Sequence, residues 1–76
     1  MKVIRIGSVE LTEQEAEQLY AEGRYIVTYS TIYKVIKTGD RIHGKTVHKA
    51  KGMTRRGRFY AMTAETLWNV FGIRTA

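Results

Sequence analysis

Neither cysteine nor proline occurs among these 76 residues. Without cysteine there are no disulfides and no thiolate metal sites, so the fold must be held by apolar packing, helped at most by a partner or a second copy. Proline's absence, together with the lack of repeats or low-complexity tracts, leaves nothing to mark a boundary, and a single domain over 1–76 is expected. A domain of this size buries only about 60% of its unfolded surface. With 43% hydrophobic and 26% charged residues, the composition is that of a globular chain rather than a disordered one.

The core must therefore come from segments whose apolar residues recur at a regular period. Val3 to Ile6 reads as a short strand, followed by a turn at Gly7-Ser8 and then Val9-Glu10-Leu11. Thr12 with Glu15 three residues on is a capping-box pattern, Leu11 and Ala16 can form a hydrophobic staple, and Gly23 can end the helix. A helix over about 12–22 follows, with Ala16, Leu19 and Tyr20 on one face. Tyr25 to Ile36 is β-branched and aromatic with no glycine, which predicts one long strand. Thr38-Gly39-Asp40 predicts a turn into a returning strand over about 41–50, and Lys51 to Gly57 a basic loop. A third strand should run over 58–62. Thr63 can cap a last helix with Ala64, Leu67, Trp68 and Phe71 inward, and Gly72 should close it, with Ile73 folding back on Trp68 in a Schellman motif. The order is β-α-β-β-β-α. It defines an α+β domain, a three- to four-stranded, mainly antiparallel sheet packed against two helices.

Charge is placed unevenly. The net charge is +6, yet residues 1–33 hold three basic and five acidic side chains while residues 34–76 hold ten basic and two acidic. A split of this kind favours a polyanionic partner for the second half. Six of the basic residues lie between Lys45 and Arg58, and Lys45, Val47, Lys49 and Lys51 should line one face of the strand, with His43 at its start. Lysines there would neutralise phosphates, and arginines would add forked hydrogen bonds.

Gly39-Asp40-Arg41-Ile42-His43-Gly44-Lys45-Thr46 matches the phosphate-loop pattern G-x-x-x-x-G-K-[ST] letter for letter. That chemistry needs a helix beginning at the lysine and a following strand that ends in aspartate. Val47 to Arg58 has no apolar stripe, and the one acid downstream is Glu65. The expected structure is a glycine-bounded turn and a strand. His43 and His48, five apart, should point to opposite faces, and no third ligand accompanies them, so no metal site is expected. The carboxylates cluster on the first helix and its approach, and neither Ser8 nor Ser30 has a histidine partner. No catalytic residues and no cofactor are expected.

No apolar run reaches the roughly 20 residues of a membrane span. Charge interrupts the first six residues, which argues against a signal peptide and for the cytoplasm. These features predict a small, non-enzymatic, basic nucleic-acid-binding module, with DNA favoured over RNA, that uses Lys45, Lys49, Lys51, Arg55, Arg56 and Arg58. The competing expectation is a protein-binding regulator or inhibitor that works through strand 25–36 or the acidic helix 12–22, with a homodimer as one form of it.

Overall fold

Val3–Ile6 (β1) and Val9–Thr12 (β2) pair as an antiparallel hairpin in the structure, a computed structural model that describes residues 2–75. Gly7, at φ 62°, makes the turn. The segment before the first helix is thus a second strand, one more than the sequence pattern predicts. Helix α1 spans Glu13–Ala21 and starts as expected. Thr12 Oγ1 accepts from the Glu15 amide at 3.1 Å, and the Glu15 carboxylate accepts from the Thr12 amide at 2.9 Å, completing the capping box. Leu11 and Ala16 are buried in one cluster, as the staple requires.

The predicted long strand is broken in two. Tyr25–Val27 (β3) turns through Thr28-Tyr29-Ser30 and returns antiparallel as Thr31–Thr38 (β4), with Tyr25 opposite Lys34 and Val27 opposite Ile32. Thr28 makes the turn by itself. Its amide and hydroxyl both donate to the Thr31 carbonyl, at 2.8 and 2.9 Å, and its hydroxyl accepts from the Thr31 amide at 3.1 Å. A hydroxyl bonding to nearby backbone in this way substitutes for the glycine that the sequence lacks here. Arg41–Lys49 (β5) returns from the Gly39-Asp40 turn, and Tyr60–Met62 (β6) adds beside β3. The strand order in the four-stranded sheet is β5-β4-β3-β6. Both halves of the 25–36 segment are therefore interior, and the outer strands are β5 and β6.

Each face of this sheet has its own cover. The hairpin and α1 bury Ile6, Val9, Leu11 and Ala16 against Ile26, Val35 and Ile42. Helix α2, Ala64–Phe71, places buried Leu67 with Tyr25, Val27 and Ile32 on the other face, where Val47, Met53, Met62, Phe71 and Ile73 join them. Thr63 caps α2 as expected. Gly72, at φ 68°, closes it with its amide on the Trp68 carbonyl at 2.9 Å. The Ile73 amide also returns to the helix, to the Leu67 carbonyl at 3.5 Å, so two bonds close the end, each spanning one residue more than in a Schellman pair. Ile73 folds back into the cluster around Leu67. Trp68, expected in the core, is 50% exposed. Arg74 lies over its ring, with 5.3 Å from guanidinium carbon to centroid. So short a helix buries one residue fully, Leu67, and only part of Phe71.

Candidate nucleic-acid interface

The phosphate-loop match resolves into a hairpin. Gly39-Asp40 is the β4–β5 turn, and Gly44-Lys45-Thr46 lies in mid-strand with no helix starting at Lys45. Gly44 is required for packing: a Cβ there would collide with Ile6 of the overlying hairpin.

Residues 49–58 collect at one end of the sheet, because β3 and β5 finish there and β4 and β6 begin there. The loop is fixed to the β3–β4 turn, with the Ala50 amide on Ser30 O and the Met53 amide on Tyr29 O, both at 3.1 Å. Thr54 is buried, and its hydroxyl has the Arg58 carbonyl at 3.0 Å and the Arg55 carbonyl at 3.1 Å. The Arg58 amide returns to Arg55 O at 3.0 Å. This internal bonding folds Arg55–Arg58 into a turn whose three arginine side chains all stand exposed. Arg56 lies over the Tyr29 ring at 4.9 Å, which orients its planar head. Gly57, Arg58 and Phe59 line a groove against Ser8–Glu10 of the hairpin.

Lys45 is placed differently. A β-bulge at Val47 interrupts the alternation of β5: Thr46 opposes Tyr33, but His48, not Val47, opposes Ile32. An inserted residue reverses the parity of everything beyond it. Lys45, opposite Lys34, therefore shares the α2 face with His48, while Lys49, opposite Thr31, falls on the reverse face. The expected single row of Lys45, Val47, Lys49 and Lys51 is not formed. His43 and His48, expected on opposite faces, are on the same one. His43 Nε2 lies 2.9 Å from Thr38 Oγ1. Lys49, Lys51, Arg55, Arg56 and Arg58 are brought to one end, and Lys45 sits farther up the ribbon. Lys34 and Arg41 carry no signal of their own in the sequence; their place on that ribbon follows from the β4–β5 register running unbroken from the Gly39-Asp40 turn.

Four of the seven carboxylates are engaged elsewhere. Glu10 pairs with Arg5 across the hairpin, Glu22 with Arg24 at 2.5 Å, and Glu17 of α1 with Lys37 at 3.6 Å. Glu22 is held below the usual carboxylate range, chiefly by the hydrogen bond from Arg24 and then by that from Gln18. Glu15 is held below it by the Thr12 amide and hydroxyl. Among the described residues, none of the eight basic side chains after Lys37 has a carboxylate within 4 Å. No described helix is long and apolar enough to cross a membrane. No protein-family model, curated protein or solved structure matches this chain.

Proposed function

We propose that this chain is a small, non-enzymatic nucleic-acid-binding module, with duplex DNA its preferred partner, that engages backbone phosphates through the end of β5 and the loop 50–58. The observation that carries this reading is the partition of ion pairs. Three of the five carboxylates of the acidic first half pair with Arg5, Arg24 and Lys37, and among the described residues no basic side chain from Arg41 onward has a carboxylate within 4 Å. Lys49, Lys51, Arg55, Arg56 and Arg58 then present a concentrated cationic end on a loop that Thr54 and the β3–β4 turn hold in shape. Pre-ordering lowers the entropy lost when such side chains meet a ligand.

Binding of this kind releases condensed counterions, so log K should fall linearly with log salt by about 0.9 per duplex phosphate contacted. Fluorescence anisotropy on a labelled duplex across a salt series measures this directly. Five contacts would give a slope near −4.5 by the same rule, an order-of-magnitude figure. Binding weaker than micromolar at low salt, or a slope near zero, overturns the reading.

A further inference from the structure

On the α2 face of the β4–β5 ribbon, three successive cross-strand pairs stand in a row: Lys34 with Lys45, Ile36 with His43, and Thr38 with Arg41. All six residues are exposed or half-buried, and none is acidic. Ile36 belongs to neither core cluster. The lysine pair is the unusual member. Side chains directly opposed on antiparallel strands have Cβ atoms only about 5 Å apart, and like charges in that position repel. Among the described residues no carboxylate lies within 4 Å of either lysine or of Arg41. The free protein therefore carries a local repulsion that an anion placed between the two ammonium groups would relieve.

We propose that this ribbon face is a second phosphate-backbone site, distinct from the loop 50–58, in which Lys34 and Lys45 together hold one phosphodiester of a DNA duplex and Arg41 reaches another farther along. The inference rests on the nucleic-acid reading above and extends it to residues outside the loop. The dimensions agree. Arg41 lies four residues from Lys45, roughly 13 Å at strand rise. A duplex strand presents a phosphate about every 3.4 Å of axis, so one stretch of backbone can serve both positions. A backbone site reads no bases, so its contribution should be the same for every sequence.

The test compares wild type, Lys34→Gln, Lys45→Gln, the double variant, and Arg55→Gln/Arg56→Gln, by anisotropy on two duplexes of unrelated sequence and by thermal unfolding without DNA. The double variant should lower the salt slope by about 1 and weaken binding about eightfold near 0.1 M salt on both duplexes, the loss of one neutralised phosphate. Either single change should raise the Tm of the free protein, because it removes the repulsion, an effect that a merely structural lysine would not give. Unchanged affinity and slope in the double variant, alongside weakened binding in the arginine variant, overturns this inference and leaves the loop reading standing. Wild type that fails to bind either duplex overturns both. Weaker binding together with a lower Tm assigns the lysines a structural role and overturns the second site alone, as does a lysine effect seen on anionic lipid vesicles but not on DNA.

Discussion

At Gly44 a methyl group has nowhere to go. Its α-carbon lies under Ile6 of the β1–β2 hairpin, so a Cβ there would collide with that side chain. Gly44→Ala should therefore destabilise the protein, against the usual gain from replacing a strand glycine, by about 1–3 kcal/mol as for other overpacked positions. In a domain of this size each kcal/mol moves Tm by about 4–8 °C, so a thermal melt resolves the effect easily. Thr54 makes a complementary case, because its hydroxyl is buried to serve two backbone carbonyls. Thr54→Val keeps the shape and leaves the Arg55 and Arg58 carbonyls without that donor, for a cost of about 1–3 kcal/mol. Limited proteolysis should then cut the loop near Arg55 or Arg58 sooner than in wild type, and equal cutting rates would show that the hydroxyl does not fix the loop.

Helix α1 shows what local chemistry alone can specify. Its Thr12–Glu15 box and its Leu11–Ala16 staple involve residues no more than five apart, so their signal is complete in the sequence and the helix forms where that signal places it. Thr12→Ala should cost about 1 kcal/mol in urea unfolding. The box is also acid-sensitive. The folded pKa of Glu15 is lowered by its hydrogen bonds to Thr12, so its contribution is present above the unfolded carboxylate value and is lost as pH falls through the lowered folded one. Glu15→Gln should flatten that part of the acid unfolding profile, and an unchanged profile would remove Glu15 from the account. Elsewhere the deciding contacts are between elements. The break at Thr28-Tyr29-Ser30 depends on whether 31–38 pairs back onto 25–27, and a run of β-branched and aromatic residues carries no mark of that choice. The bulge at Val47 has no glycine or asparagine to announce it, yet it decides which lysines share a face. The helical spacing predicts Trp68 in the core, but α2 rests on the sheet through Leu67 and Phe71, which leaves its indole to Arg74.

Over the whole molecule the charges sort by distance along the chain. Helix α1 and the hairpin neutralise their own neighbourhood, while the sheet end and the β4–β5 ribbon remain positive. A measurement of total affinity cannot tell this arrangement from a diffuse +6 charge, because a diffuse charge also attracts DNA and also weakens with salt. Position-matched controls can. Replacing Arg55, Arg56 and Arg58 with glutamine removes three charges from the loop, and replacing Lys2, Arg5 and Arg24 removes the same number from the acidic half. If the loop arginines meet phosphates individually, the first variant should lose up to about 2.7 from the salt slope, at about 0.9 for each contact. The second should change the slope little, since Arg5 and Arg24 are already paired with Glu10 and Glu22. Equal losses from the two variants would mean that DNA responds to net charge alone, and the cationic end of the sheet would have no special part in binding.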